Sequence, residues 1–171
     1  MKVLIISDIH GDYKTLCDIL NKESFDKLII LGDLLEYGIY TISSNNQILN
    51  EIKKYKNKLV LIKGNCDYMI DYNKFDLCAH EEISLTINNH IVTFSHGHIY
   101  NNINLPSYHG DIFISGHTHV PSIERNNNII FANPGSLGKP RYGLNKSYMI
   151  FENNSLIVKT INGSKIKSLQ I

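Results

Sequence analysis

Three short apolar runs in the first part of the chain most constrain its fold. They are "KVLIIS" at residues 2–7, "KLIILGD" at 27–33 and "LVLIKGN" at 59–65, and each ends in polar residues. Continuous apolar runs of this length are typical of strands that are buried on both faces. Residues 12–22 and 45–56 carry apolar side chains at helical spacing. The order strand, helix, strand, helix, strand predicts parallel pairing through right-handed crossovers.

The pattern changes after about residue 80, where apolar runs come in pairs around asparagine-rich turns. Such pairs are typical of β-hairpins. The predicted hairpins span residues 83–97, 122–136 and 147–161, and a single short strand lies within residues 111–119. The second half is therefore predicted to pair mostly in the antiparallel sense.

Composition excludes several kinds of partner. With 17 basic and 16 acidic residues, the net charge of +1 argues against an extended nucleic acid or a membrane surface. No apolar run approaches the roughly 18 residues that span a bilayer, and Asp8 interrupts the N-terminal run that a signal peptide would need. Cys17, Cys66 and Cys78 form no disulfide framework. We expect one cytoplasmic domain covering residues 1–171, with free thiols.

Five polar clusters stand out, and four of them directly follow an apolar strand run, while the fifth is a glycine-led loop. The clusters are Asp8-x-His10, Gly32-Asp33, Gly64-Asn65, His96-Gly97-His98 and Gly116-His117-Thr118-His119. Open α/β sheets bind ligands at the carboxyl ends of their strands. Seven side chains are therefore predicted to converge there: Asp8, His10, Asp33, Asn65, His96, His117 and His119.

These seven side chains supply carboxylate, imidazole and amide donors. A mixed nitrogen and oxygen set suits borderline divalent ions such as manganese, iron, zinc, cobalt or nickel, and it requires no thiolate. Residues i and i+2 of an extended segment point the same way. Asp8 with His10, and His117 with His119, can therefore each present two groups to one site or to two adjacent ions.

Taken singly, each cluster has a purely structural alternative. Asp33 alone could cap a helix, and Asn65 could occupy the left-handed turn that glycine and asparagine favour. A lone histidine is more often structural than a ligand, and we assign that structural role to His80, His90 and His109. Independent structural explanations for all seven clustered residues are improbable, which favours a metal site.

The clusters also occur in a recognisable set of motifs. In chain order these are "SDIHGD", "LGDLLEYG", "KGNCD", "FSHGH", "SGHTHVP" and "NPGS". From Lys2 to about residue 160 the sequence resembles the calcineurin-like metallophosphoesterases, and within them the small bacterial phosphodiesterases of the YfcE type. The resemblance implies an α/β fold, a four-layer α/β/β/α sandwich with mixed sheets, and two divalent ions at one edge.

The resemblance also implies which residues hold the ions. Asp8, His10, Asp33 and His119 would hold one ion, and Asp33, Asn65, His96 and His117 the other, with Asp33 as the bridge. The expected metal is Mn2+, with Ni2+, Co2+, Zn2+ and Fe2+ as alternatives. Two such ions about 3.5–4 Å apart can share a water, lower its pKa and present hydroxide in line with phosphorus.

Cys66 stands where many relatives have a histidine that protonates the leaving alkoxide. A thiol is a weak hydrogen-bond donor, and its pKa should fall beside two dications. We therefore expect good leaving groups, such as those of aryl phosphodiesters, to be cleaved well and alkyl esters poorly. The alternatives are that Cys66 only packs in the turn, or that His98 serves as a substitute acid.

The residues predicted to bind substrate are Asn65, His96, Lys139 and Arg141. The last two lie in the turn-rich segment 133–143, which can bring cations or backbone N–H groups to a phosphate or can simply form a rigid surface loop. Residues 35–45 are expected at the pocket rim, where Tyr37 and Tyr40 could stack on an aromatic leaving group or base.

The function predicted from these features is a phosphodiesterase that acts on small phosphoesters. The same metals would also serve a phosphomonoesterase or a dinucleoside-polyphosphate hydrolase. A protein-binding scaffold resembling the retromer subunit of this fold is the alternative outside catalysis. The intact set of seven ligand types favours an enzyme. Apolar edge segments could in addition form the interface of a homo-oligomer.

Overall fold

The computed structural model describes residues 1–38, 40 and 43–171. The α-helices are α1 (Tyr13–Lys22), α2 (Ser44–Lys53) and α3 (Met69–Lys74), and a 3-10 turn covers Lys56–Lys58. The strands are β1 (Val3–Ile6), β2 (Lys27–Ile30), β3 (Leu59–Ile62), β4 (Ala79–His80), β5 (Glu82–Ile87), β6 (His90–Ser95), β7 (Ile112–Ser115), β8 (Ser122–Asn126), β9 (Ile129–Asn133), β10 (Ser147–Glu152), β11 (Ser155–Thr160) and β12 (Lys165–Gln170).

The first sheet is built around the three apolar runs. Its strand order is β12-β11-β10-β1-β2-β3-β4. Strands β1 to β4 pair in parallel, as the strand–helix alternation predicted, and β10 to β12 extend the sheet in the antiparallel sense. All four residues of β1 are buried, because this strand is covered on both faces.

The second sheet has the order β5-β6-β7-β9-β8 and contains two of the predicted hairpins at its edges. Most strand pairs of the second half are antiparallel, as predicted, but β7 at the centre of this sheet runs parallel to both β6 and β9. The lone strand β7 is joined to β6 by a long connection, which permits a parallel crossing that no two-residue turn allows. Both sheets are therefore mixed, which confirms the predicted α/β fold with mixed sheets. The described α-helices cover only the first sheet, so the predicted helical layer on the second sheet is not found among the described residues.

Two apolar cores hold the layers together. One lies between the sheets and includes Ile5, Phe94 and Phe151, and the other lies between the first sheet and the helices and includes Leu16 and Ile48. In the described part of the chain all three α-helices precede residue 75, so they gather on the first sheet. None of the described helices is long and apolar enough to span a membrane.

Helix α1 is fixed at both ends. The side chain of Asp12 accepts a hydrogen bond from the Thr15 N–H at 3.1 Å, which caps the N-terminus. The helix ends at Lys22, and the backbone of Glu23 directly after it is extended. The Glu23 carboxylate accepts hydrogen bonds from the Tyr148 hydroxyl at 2.6 Å and from Lys2 at 2.9 Å, so it joins the helix to β10 and to the start of β1.

All five polar clusters follow the carboxyl ends of strands. Asp8 follows β1, Asp33 follows β2, and Asn65 follows β3. His96 directly follows β6, and the glycine-led loop, which the sequence did not assign to a strand end, follows β7. The topology therefore delivers all five clusters to one edge of the two-sheet sandwich.

Glu23→Gln should destabilise the protein by about 1–3 kcal/mol at neutral pH, because hydrogen bonds to a charged group would be lost or weakened. Burial alone would raise the pKa of Glu23, but hydrogen bonds from Tyr148 and Lys2 outweigh it and hold the pKa below 4.5. This lowered pKa means that the stabilisation is fully present above pH 4.5. It is lost as the pH falls below 4.5 and through the lowered pKa of the folded state. Thermal unfolding at several pH values measures the difference.

The control is Asp76→Asn, which removes a surface ion pair with Lys56 and should change the melting temperature little. A Glu23→Gln defect of constant size from pH 3 to pH 7 would contradict the ionic explanation.

Candidate metal centre

Five of the seven predicted ligands have a backbone conformation that side chains normally avoid. The angle φ is 54° at Asp8, 47° at His10, 46° at Asp33, 64° at His117 and 63° at His119. Non-glycine residues in this left-handed region are uncommon, and each such strain costs on the order of 1–3 kcal/mol. Because strained positions cluster at functional sites, their concentration at one sheet edge indicates that the strand ends hold these side chains for a purpose.

Asp8, His10 and His119 form one half of the cluster. Asp8 is fully buried, and its Oδ1 lies 3.2 Å from His119 Nε2 and 3.9 Å from His10 Nε2. The two Nε2 atoms are only 3.3 Å apart. The other Asp8 oxygen accepts a hydrogen bond from the His117 N–H at 3.0 Å, so β1 and β7 are joined at this edge.

Asp33 lies between this half and a second one. Its Oδ2 is 3.7 Å from His10 Nε2 and 3.5 Å from His96 Nε2. Asn65 Oδ1 lies 3.1 Å from the same His96 nitrogen. The His117 and His96 rings are 5.1 Å apart between centroids. The structure therefore brings all seven predicted side chains together, with Asp33 in the central position.

The outer nitrogens of three imidazoles face groups that accept hydrogen bonds. His96 Nδ1 lies 2.7 Å from the Leu31 carbonyl oxygen, and His119 Nδ1 lies 2.5 Å from the Lys139 carbonyl oxygen. His10 Nδ1 lies 3.0 Å from the Glu36 carboxylate. The two carbonyl contacts place the proton of His96 and of His119 on Nδ1, which leaves the Nε2 lone pair of each directed into the cluster.

The interior of the cluster consists of electron pairs that face one another. The Nε2 atoms of His10 and His119 meet beside Asp8 Oδ1, and that buried oxygen has no hydrogen-bond partner among the described residues. On the other side, the His96 lone pair faces Asn65 Oδ1. Buried acceptors without donors are costly, and a divalent cation satisfies several of them at once. The residues thus fit metal ions.

Charge and burial set the protonation of these groups. Burial lowers the pKa of His10 and His117. Burial would also lower the pKa of His96 and His119, but the negative charges of the neighbouring aspartates outweigh it and raise both. Burial alone would raise the pKa of Asp33, but the His96 contact and a backbone N–H hold it far below its usual range. Because ligands must be deprotonated, protons compete with metal most at His96 and His119.

Asp67 is a supporting residue that sequence reasoning missed. It is 2% exposed and accepts hydrogen bonds from the N–H groups of Gly64 at 2.9 Å, Leu35 at 3.0 Å and Leu34 at 3.4 Å. These contacts tie the loop after β3 to the loop after β2. The approach is so close that a Cβ on Gly64 would lie 2.1 Å from Asp33 Oδ1, so only glycine fits.

Glu36 is a second residue that the sequence did not reveal. Its carboxylate contacts His10 Nδ1 at 3.0 Å and the Lys139 ammonium at 2.7 Å. Lys139 also accepts the His119 hydrogen bond through its carbonyl group. The predicted phosphate-binding lysine is therefore engaged with two imidazoles, directly with His119 and through Glu36 with His10. No sequence signal marks this pairing, because the residues are about 100 positions apart.

A cavity of about 400 Å3 opens over the cluster. Its walls include three of the four predicted substrate-binding residues, namely Asn65, Lys139 and Arg141, whereas His96 is fully buried. The charge of Arg141 is close enough to oppose protonation of both imidazoles, so it adds to the lowered pKa of His117 and limits the rise in the pKa of His119.

The predicted pocket rim is reproduced in part. Tyr37 lies in the cavity wall, and Tyr40 is outside it, with the Lys74 ammonium 5.1 Å from its ring centroid. Positions 39, 41 and 42 of the predicted rim lie outside the described residues. The ring of His98 is 5.2 Å from that of His96, but this proposed substitute acid is not among the wall residues.

Cys66 is buried beside Asp33. Its N–H donates to Asp33 Oδ1 at 2.8 Å, and its sulfur accepts a hydrogen bond from the Asn65 amide at 3.4 Å. Burial and the Asp33 charge raise the pKa of the Cys66 thiol to about 12. The sulfur is near enough to His10 and Asp33 to share a cation geometrically, but a protonated thiol is a poor ligand.

Comparison with known proteins gives the same result as the geometry. Residues 1–155 match the family model of the calcineurin-like phosphoesterase superfamily domain. Phosphodiesterase YfcE of Escherichia coli strain K12 is 29% identical over 182 aligned positions, which cover 97% of this chain and 95% of YfcE. The solved structure of the E. coli phosphoesterase Yfce covers all of both chains, with a TM-score of 0.89 and 26% identity.

A crystal structure of Entamoeba histolytica Vps29 complexed with zinc shares the fold. It has a TM-score of 0.69 and 23% identity, and the match covers 99% of this chain and 98% of Vps29. Since the family model spans most of the 171 residues, the chain belongs to the calcineurin-like phosphoesterase superfamily, a family of metal-dependent hydrolases of phosphoric esters.

Proposed function

We propose that this chain is a dinuclear-metal-dependent phosphodiesterase. The observation that carries the proposal is the set of buried nitrogen and oxygen acceptors that face one another on both sides of Asp33. In the proposal, Asp8, His10, Asp33 and His119 hold one ion, and Asp33, Asn65, His96 and His117 hold the other. The mixed donor set favours Mn2+, with Ni2+, Co2+, Zn2+ and Fe2+ as alternatives.

The chain's own residues orient the reaction. When bound, the ions activate a water and neutralise charge on the phosphoryl group. The carbonyls of Leu31 and Lys139 keep two ligating imidazoles in the required tautomer. The Arg141 guanidinium in the cavity wall can bind a phosphoryl oxygen through two parallel hydrogen bonds.

The charge of the cavity wall favours a diester over a monoester. A phosphodiester carries one negative charge at neutral pH, whereas a monoester carries close to two. Of the two wall cations, Lys139 is paired with Glu36, so Arg141 is the one that faces the substrate without an acidic partner among the described wall residues. The name of the E. coli relative, phosphodiesterase YfcE, is consistent with this preference. We place the reaction in the cytoplasm and expect small substrates.

Metal removal followed by addition of single metals tests the proposal. The apoprotein should be inactive, and Mn2+ should restore cleavage of bis(4-nitrophenyl) phosphate more than Mg2+ does, because the imidazole-rich set disfavours the harder ion. The diester should be cleaved faster than 4-nitrophenyl phosphate. Faster cleavage of the monoester would support a phosphomonoesterase. If a dinucleoside polyphosphate is hydrolysed faster than either ester, the result would support a dinucleoside-polyphosphate hydrolase. A metal-loaded protein inactive on all these esters would support a scaffold.

His119→Ala tests the ligand assignment without reference to activity. Saturating Mn2+ at about 100 times its dissociation constant should stabilise the wild-type protein by about 2.7 kcal/mol, which raises its melting temperature by several degrees. Loss of one ligand should weaken binding by at least about tenfold and reduce that rise.

The matched control for this measurement is His80→Ala, because His80 is an exposed histidine that is not among the wall residues of the cavity. It should keep the full manganese-dependent rise. Equal rises in wild type and both variants would remove His119 from the ligand set.

Cys66→His tests whether the lack of a histidine acid at position 66 limits the cleavage of alkyl phosphodiesters. A histidine at this position should raise the rate for alkyl phosphodiesters by about tenfold or more, because general acid catalysis helps poor leaving groups most. Rates for 4-nitrophenyl esters should change little. The measurement is kcat for a methyl and a 4-nitrophenyl diester with equal bound metal. An equal change for both esters would indicate that Cys66 only packs in the turn.

A further inference from the structure

Tyr37 is held in an unusual conformation at the cavity. Its φ is 53°, in the left-handed region, where a bulky aromatic residue is a genuine outlier. The side chain is 56% exposed and lies in the wall above the metal cluster. An exposed residue gains little from burial that would offset such strain, so its position indicates a role in the site.

Tyr37 lines the same cavity as Cys66, Glu36 and Asp33. The Cys66 side chain and the charges of Glu36 and Asp33 raise the pKa of the Tyr37 phenol, so it keeps its proton at neutral pH. Cys66 stands where many relatives carry the acid histidine, so the phenol and that position share one cavity wall.

We propose that Tyr37 is the catalytic residue that hydrogen-bonds to the leaving oxygen of poor leaving groups and protonates it. This inference rests on the proposed phosphodiesterase function. The attacking water loses a proton to solvent and forms a bond to phosphorus, and the electron pair of the broken P–O bond goes to the leaving oxygen. That oxygen takes the phenol proton, and the Tyr37 phenolate then regains a proton from solvent water.

Tyr37 suits this role better than the other candidates at the site. Cys66 is 4% exposed, and a thiol is only a weak donor. His98 is not among the wall residues. An alkoxide is a stronger base than a phenolate, so proton transfer from tyrosine to an alkoxide is favourable. A 4-nitrophenolate is a weaker base and needs no such help.

Tyr37→Phe removes only the hydroxyl group and keeps the ring. For methyl 4-nitrophenyl phosphate, in which the aryl group leaves, kcat should be nearly unchanged. For dialkyl esters kcat should fall by about 10²-fold, the lower end of the range for general acid catalysis. The dependence of log kcat on leaving-group pKa should become steeper, while KM and the bound manganese content stay constant.

The matched control is Tyr68→Phe. Tyr68 is 51% exposed, close to Tyr37 in exposure, and it is not among the wall residues. This variant should retain wild-type rates on both ester classes. Equal losses on aryl and alkyl esters in Tyr37→Phe would indicate a binding or structural role and overturn the proposal, as would unchanged rates on both.

A double variant sharpens the test. If the histidine of Cys66→His takes over protonation, the addition of Tyr37→Phe should then cost much less than it costs in the wild-type background. Additive effects would overturn the shared role. A wild-type protein that binds manganese but cleaves no diester would instead refute the proposed phosphodiesterase function, so the two failures are distinguishable.

Discussion

The buried carboxylate of Asp67 is the interaction on which the geometry of the site depends. It accepts N–H groups from Leu34 and Leu35, directly after Asp33, and from Gly64, directly before Asn65. Burial of an unpaired carboxylate would be costly, and burial does raise the pKa of Asp67, but three backbone donors offset much of this cost. One side chain therefore fixes the distance between the central carboxylate and the amide ligand, and it explains why an aspartate closes the "GNCD" segment.

The main chain also controls the direction of the imidazoles. The Leu31 carbonyl, at the end of β2, orients the ring of His96, which follows β6 in the other sheet. The Lys139 carbonyl orients His119 in the same way. Each of these hydrogen bonds joins elements that are remote in sequence. The packing that brings the elements together therefore also orders the ligands. Together with the left-handed backbones, these main-chain contacts hold the ligand side chains in position.

Local sequence pattern was sufficient for the parts of this structure that depend on neighbouring residues. The apolar runs located β1, β2 and β3, and the polar clusters after these and later strands located the seven side chains. The pattern could not reveal Glu36, whose contacts to His10 and Lys139 are set by tertiary packing, nor the parallel pairing of β7, which depends on a long connection. The pattern predicted Lys139 as a phosphate ligand and did not reveal its ion pair with Glu36, because pairing with a remote carboxylate leaves no trace in residue spacing.

The shared fold and metal chemistry do not by themselves determine the reaction. Vps29 complexed with zinc has the same fold, so selectivity must come from side chains around the cluster and not from the sheets. Here the wall contains Arg141, a lysine paired with Glu36, and Tyr37 together with Cys66. In the proposed reaction the two cations would select a singly charged phosphate, and Tyr37 would act only on the departing oxygen. Under this proposal, charge selection and leaving-group selection lie on different residues and can change independently.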